Sequence, residues 1–276
     1  MTTRVALVTG GSSGIGEATA LALREAGLEV YAVARRVDRM ADLEAAGVHA
    51  FAMDVTDDAS MVAGTDRIVR ERGRIDVLIN NAGYGSFGAV EDVPIDEARR
   101  QFEVNLFGLA RLTQLVTPYM RSQKSGTIIN ISSVGGVIYE PFGAWYHATK
   151  FAVEGLSDSL RVELRPFGIH VVIVRPAGVV TEWNTISRES LIETSKGGAY
   201  EKYAARAVRA LKAADNKLMS STAEVIAKTI VRAATAKNPS SRYHAGRGSI
   251  LLPATRRLLP DRAFDAVVGT AFMGRP

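Results

Sequence analysis

The sequence predicts an α/β fold, a doubly wound parallel sheet in a single domain. Three observations predict it. Apolar runs rich in Val, Ile and Leu alternate with helical patterns; a glycine-rich turn joins the first run to the first helix; and no Pro-, Gly- or Ser-rich linker, internal repeat or low-complexity segment divides residues 1–276. Strands buried on both faces read as continuous apolar runs, and each parallel connection needs a crossover, which the helices supply.

The first run, Val5 to Val8, comes directly after Met1-Thr2-Thr3-Arg4, so no removable leader is expected. Thr9-Gly10-Gly11-Ser12-Ser13-Gly14-Ile15-Gly16 then leads into the helix-forming Glu17 to Leu23. Glycines here permit a tight turn. They also let a dinucleotide pyrophosphate approach the unpaired N–H groups of a helix N-terminus, where the dipole favours an anion. A P-loop is excluded, because no Lys-Ser/Thr pair follows. The further strand candidates are Glu29 to Ala34, His49 to Met53, Val77 to Ile79, Thr127 to Ile131 and His170 to Val174, with helices between them. Residues 181–221, with the charged, Ala-rich stretch Tyr200 to Lys212, are expected to be helices inserted beside the site as a cover. A helix from Ala223 to Ala236 and a last strand from Arg242 to His244 precede a tail over residues 246–276.

With 47% hydrophobic residues, the chain has ample material for a core. The absence of cysteine removes disulfides, thiolate metal sites and cysteine nucleophiles, and four scattered histidines argue against a metal site. No run approaches the ~18–20 apolar residues of a membrane span. The net charge of +5 is spread among interleaved acidic residues, which favours a modestly basic surface over a nucleic-acid site. The cytoplasm is the expected location.

Tyr146 and Lys150 stand at i, i+4 in Tyr146-His147-Ala148-Thr149-Lys150, on one face of a predicted helix, with Ser133 upstream in a glycine-rich turn. A free phenol titrates near ~10 and is a poor proton donor or acceptor at neutral pH, but a nearby ammonium favours the phenolate and lowers that value. Together the three residues suggest a proton-transfer site. His147 points about 100° away around the helix and is expected at the surface or a subunit contact. Ordinary packing accounts for His49 and His170, and His244 has no evident partner.

The glycine turn, Asn80-Asn81-Ala82-Gly83 after the fourth strand, Asn105 in the following helix, Ser133, and Tyr146 with Lys150 resemble, in this order, the short-chain dehydrogenase/reductase family. The resemblance is to its single-domain branch and covers residues 4–245. It implies that Tyr146 is the general acid in carbonyl reduction and the base in the reverse direction. Lys150 would lower the tyrosine pKa and bind the nicotinamide ribose, and Ser133 would hydrogen-bond the substrate oxygen. Asn105 would hold a water in a proton relay to Lys150; bonding to backbone inside its helix is the alternative.

The resemblance further implies cofactor contacts from Gly10, Ser12, Ser13, Gly14, Ile15 and Gly16, and from Asp54 and Val55 at the adenine. Asn81, Ala82 and Gly83 would lie along the cofactor, with Pro176, Val179 and Thr181 at its nicotinamide end beside Tyr146 and Lys150. Asp54 is equally a candidate helix cap. The family's Pro-Gly pair reads Pro176-Ala177-Gly178 here, which leaves the local backbone and a Thr181 hydrogen bond to the carboxamide open. Self-association as a homodimer or homotetramer, through the helices of Asn105 and Tyr146, is also implied.

The end of the second strand bears on which dinucleotide binds. An acidic residue there would hold the ribose hydroxyls of NAD, whereas this chain has Ala34 followed by Arg35 and Arg36. Ala34 leaves room and Arg35 can fork onto a 2′-phosphate, so NADP(H) is expected over NAD(H), with Arg36 solvated.

Tyr84, Phe87, Val134, Ile138, Tyr139, Phe142 and Trp183 fall on segments expected to line the substrate cleft, with few fixed charges. A lipophilic ketone or alcohol is the expected small-molecule substrate, and core packing is the competing account of these side chains. Two other functions stay open: a nucleotide-sugar epimerase or dehydratase, and a non-catalytic NADP(H)-sensing protein. The tail segment Arg256 to Arg262 mixes basic and apolar residues. Packing on the body is its default, with a membrane surface the alternative.

Overall fold

Seven parallel strands form one sheet: β1 (Val5–Thr9), β2 (Glu29–Ala34), β3 (His49–Ala52), β4 (Val77–Asn80), β5 (Gly126–Ile131), β6 (Ile169–Pro176) and β7 (Arg242–Ala245). The computed structural model describes residues 3–215 and 220–274. The strand order is β3-β2-β1-β4-β5-β6-β7, so the chain starts at the middle, winds outward to β3 and crosses back to β4. The order therefore reverses between β1 and β4, the point at which ligands of such sheets bind, beyond the carboxyl ends of the strands.

Alternation along the strands feeds two cores, one on each face. Ala6 and Val8 of β1 enter a cluster with Leu23 of helix α1 (Gly14–Glu25). Val5 and Leu7 enter the opposite cluster with Met61 and Ile68, further along the chain. Between the first strands lies the short helix α2 (Ala41–Ala45), and α3 (Asp58–Arg72), which carries Met61 and Ile68, follows β3. Asp57 caps α3, its carboxylate accepting from the N–H groups of Ala59 at 3.0 Å and Ser60 at 3.4 Å. Asp54 is not that cap. Its carboxylate instead folds onto the Thr56 N–H and hydroxyl, at 2.9 and 2.8 Å.

Helices α4 (Ile95–Phe102) and α5 (Gly108–Gln123) run into one another through a widened π turn, Glu103–Phe107. Single π turns of this kind concentrate at functional sites. Leu112, Val116 and Met120 of α5 are fully buried under the sheet, each contributing about 1.5–3 kcal/mol. The long helix α6 (Ala144–Leu164) precedes β6.

The expected insertion is two helices, α7 (Glu182–Ser195) and α8 (Glu201–Ala214). Its ends are stapled together: the Val180 N–H donates to the Ser221 carbonyl at 3.0 Å, and the Ser221 N–H to Gly178 at 2.9 Å. Helix α9 (Ala223–Thr235) covers the sheet beside α1, and β7 ends one residue beyond its expected limit. The tail is helical throughout most of its length, as α10 (Leu251–Leu258) and α11 (Asp261–Phe272). Phe264 of α11 packs against Val134, Ile138 and Ala177. Among the described residues no helix is long and apolar enough to cross a membrane.

Candidate active site

The glycine turn leaves β1 in a conformation only glycine adopts freely, with φ of +70° at Gly10 and +58° at Gly14. At Gly16 the constraint is contact rather than φ: a Cβ there would lie 2.1 Å from the Gly10 carbonyl oxygen. Ser13 is extended just before α1, and its side chain makes no capping bond, so the first-turn N–H groups remain available to an anion.

Across the switch point, Thr9 and Asn81 tie the turn to the end of β4. The Thr9 hydroxyl oxygen accepts from the Asn81 and Ala82 N–H groups, each at 3.0 Å, and the Asn81 amide donates to the Thr9 carbonyl at 2.9 Å. The structure thus gathers Gly10, Ser12, Ser13, Gly14, Ile15 and Gly16 with Asn81, Ala82 and Gly83 around one crevice. Asn80 belongs to the sheet interior instead, bonding Asn130 at 2.9 Å.

Arg35 and Arg36 are exposed just beyond β2, next to the small side chain of Ala34. Asp54 and Val55 follow β3, and Gly108 at the start of α5 lies so close to Val55 that a Cβ would meet the Val55 carbonyl oxygen at 2.3 Å. Thr181 leans over the turn, its Cγ2 within 3.3 Å of where a Gly14 Cβ would sit. It precedes α7 without a side-chain capping bond, so its hydroxyl is left for a ligand. The adjoining Glu182 meets Arg39 at 3.1 Å, joining α7 to the segment after β2. Pro176 ends β6, and Ala177 is buried and held by the Ala245 carbonyl at 3.0 Å, so the substituted position is well ordered against β7. An uncapped helix end and a glycine cradle suit the pyrophosphate of a dinucleotide.

Ser133 leaves β5 with extended backbone, its hydroxyl oxygen accepting from the Gly135 N–H at 3.0 Å. Tyr146 lies in the first turn of α6, its ring 5.1 Å from Trp183 and 6.0 Å from Phe87. Burial pushes its hydroxyl up to about 12; a hydrogen bond to Ser133 works in the opposite direction, and the Glu140 carboxylate adds to the rise. Lys150 is buried with its Nζ 5.8 Å from the Tyr146 ring centre, donating to the Ile131 carbonyl at 2.8 Å. Burial pulls it down to about 8, against an opposing pull from Glu154.

The expected acidification of Tyr146 by Lys150 is therefore not what the protein's own groups produce. The ammonium's hydrogen bond goes to a carbonyl, and desolvation of the phenolate dominates.

Asn105 is fully engaged. Its Oδ1 accepts from the Tyr84 N–H at 3.0 Å, and its amide donates to the Tyr84 carbonyl at 2.9 Å and to the Thr149 hydroxyl at 3.1 Å. It thereby joins the loop after β4 to the residue preceding Lys150. Of the expected cleft-lining side chains, Phe87, Phe142 and Trp183 gather in one cluster with Tyr146, and Val134, Ile138 and Tyr139 belong to a separate one with Phe264. Tyr84 turns away to bond Glu97 at 2.9 Å. Phe142 has φ of +71°, a conformation costly for a non-glycine residue, and its carbonyl holds the Gly88 N–H at 2.9 Å.

His147 is not at the surface. It is buried, with Nδ1 2.9 Å from the Gly135 carbonyl and Nε2 accepting from the Glu140 N–H at 3.2 Å, which pins the loop after Ser133 to α6. His244 also has a partner, the Ser249 carbonyl at 2.7 Å. The sequence reading missed Glu154, which forks onto Arg175 with two contacts of 2.7 Å, one helical turn beyond Lys150. Its i, i+4 spacing from Lys150 was the available signal.

A sequence model of the short chain dehydrogenase family matches residues 4–191. The 3-ketodihydrosphingosine reductase of Bacteroides thetaiotaomicron is 36% identical over 263 residues, covering 95% of each chain. The NADPH-dependent 3-dehydrocapnine reductase of Ornithobacterium rhinotracheale is 32% identical, covering 96% of this chain and 95% of its own. The crystal structure of a short-chain dehydrogenase from Streptomyces avermitilis superposes with a TM-score of 0.81 at 33% identity, over 100% of this chain and 99% of that one. Sequence and backbone agree along nearly the whole length, and the chain belongs to the short-chain dehydrogenase/reductase family of oxidoreductases that bind NAD(P)(H).

Proposed function

We propose that the protein reduces a lipophilic ketone or aldehyde, drawing hydride from NADPH. The observation that carries this reading is the placement of Tyr146, hydrogen-bonded to Ser133 and set against the apolar rings of Phe87 and Trp183, where a substrate carbonyl would meet both hydroxyls. Ser133 positions the substrate oxygen by hydrogen bonding, and Tyr146 gives that oxygen its proton as negative charge develops. Bound NADPH supplies the hydride to the carbonyl carbon. Lys150, fixed by the Ile131 carbonyl, holds the ribose hydroxyls, and Asn105 keeps Tyr84 and Thr149 in register around it. The first-turn N–H groups of α1 receive the pyrophosphate.

The name of the Ornithobacterium relative includes NADPH, and that of the Bacteroides relative a keto substrate on a sphingoid chain, which supports both halves of the proposal. Incubation with NADPH and a panel of ketones graded by chain length tests it directly. Turnover should rise with the length of the apolar chain; turnover confined to polyanionic compounds would defeat the substrate assignment.

Arg35 is the proposed partner of the 2′-phosphate. Arg35→Ala should weaken NADPH binding by about 10- to 100-fold, the range for a charge-assisted hydrogen bond, and leave NADH binding unchanged. Fluorescence titration with each nucleotide reads this out, and equal NADPH affinity after the change would refute it. Phe107 and Phe151, exposed beside Asn105 and Tyr146 on their respective segments, support self-association through that face.

A further inference from the structure

We infer that α10, with the turns on either side of it, is a docking surface for an anionic lipid bilayer. No side chain of α10 is buried, and Ile250, Leu251 and Leu258 are 69%, 67% and 81% exposed. One exposed leucine would need no explanation. Here helical spacing groups them: Leu251 and Leu258 are separated by two turns, and Ile250 lies about 100° round from Leu251. Arg257 falls on the same side as Ile250, again two turns on. Arg247 and Arg262 flank the helix. All three arginine side chains are exposed and, among the described residues, enter no hydrogen bond or ion pair.

The other side of α10 is used internally. Arg256 bonds Asp261 at 2.6 Å and stacks over Tyr139 and Phe264 at 5.4 and 5.3 Å, while Leu259 joins the cluster around Val134. The nearby acids are also taken: Asp261 by Arg256, and Asp265 by the Tyr139 hydroxyl at 2.7 Å. What faces outward is thus aliphatic side chains among unpaired guanidinium groups. That combination suits a bilayer surface, with leucines at the acyl boundary and arginines at lipid phosphates. A second copy seated on the same face would bring one set of unpaired arginines up to another, and that repulsion opposes that occupant.

The surface is joined to the cleft by α11. Phe264 near its start packs on Val134, beside Ser133, and Phe272 at its end packs in the cluster of Phe87, Phe142 and Trp183. On the proposed reduction of a lipophilic carbonyl, a bilayer against α10 lets the substrate enter the cleft from the membrane. The docking itself does not depend on that reading, because it is measured without substrate.

The test is cosedimentation of the full chain with vesicles of phosphatidylcholine alone and of phosphatidylcholine mixed with phosphatidylglycerol. Wild type should pellet with the mixed vesicles and be released as salt is raised. Arg257→Glu with Arg262→Glu should bind at least about tenfold more weakly, since each basic residue at an anionic surface is worth about fivefold. Leu251→Asp with Leu258→Asp should lose binding comparably. Both variants alter exposed positions, so their melting temperatures should match wild type. The proposal is overturned if wild type binds neither vesicle, if it binds neutral vesicles equally well, if the variants bind like wild type, or if the leucine variant elutes as a smaller species, which would mean that a second copy covers this face.

Discussion

Tyr146→Phe is expected to lower kcat for carbonyl reduction by about 10²- to 10⁴-fold, the range for loss of a general acid. NADPH affinity should stay within about twofold, because removing a group used only in the transition state leaves ground-state binding intact. The ring, which packs against Trp183 and Phe87, is unchanged, so the cleft keeps its wall. Initial rates of NADPH consumption and a separate nucleotide titration distinguish the two effects. Turnover within a few-fold of wild type would remove Tyr146 from the mechanism. The pH profile is a second check. A general acid works in its protonated form, and with Tyr146 pushed up to about 12, its own ionisation should not depress reduction anywhere near neutrality. A loss of rate as pH rises through about 8 would belong to Lys150, whose charge disappears there.

Lys150→Met should abolish most turnover and change how stability depends on pH. The folded state holds the lysine at about 8, below its ordinary 10.5. Between those values the unfolded chain binds more protons than the folded one, so wild-type stability rises with pH across the window, and this contribution is lost as pH falls through about 8. The full change amounts to about 3 kcal/mol. Methionine does not titrate, so denaturant unfolding at pH 7.5 and near pH 10.5 should show the variant losing ground to wild type by about that amount at the higher pH. Leaving the Ile131 carbonyl without its donor adds a penalty of about 1–3 kcal/mol, but one that is independent of pH. A difference between variant and wild type that stayed constant with pH would show that Lys150 is not desolvated as described.

What the sequence made legible was what is written locally. Six apolar runs, the glycine turn and the i, i+4 spacing of Tyr146 and Lys150 each depend on neighbours a few residues away, and each forms as expected. The readings that failed depend on distant partners. His147 looks exposed from its own helix, but Gly135 and Glu140 arrive to bury and bond it. Asp54 is the candidate cap for α3 in the sequence, but the path of the chain after β3 brings the carboxylate of Asp57 to the first N–H groups instead. The tail helices were obscured because Pro253 and the mixed charges of Arg256 to Asp261 blur a local periodicity that packing of Phe264 on Val134 and Ala177 resolves. Electrostatics was the least legible. Spacing put an ammonium near a phenol, but could not show that a main-chain carbonyl would accept the ammonium's hydrogen bond.

Arg39 and Glu182 hold the base of α7 to the far bank of the crevice with side chains 46% and 60% exposed. Solvent and salt screen a pair like that, and its worth is about 0–1 kcal/mol. This contact therefore sets no appreciable energetic barrier to separating α7 from the segment after β2.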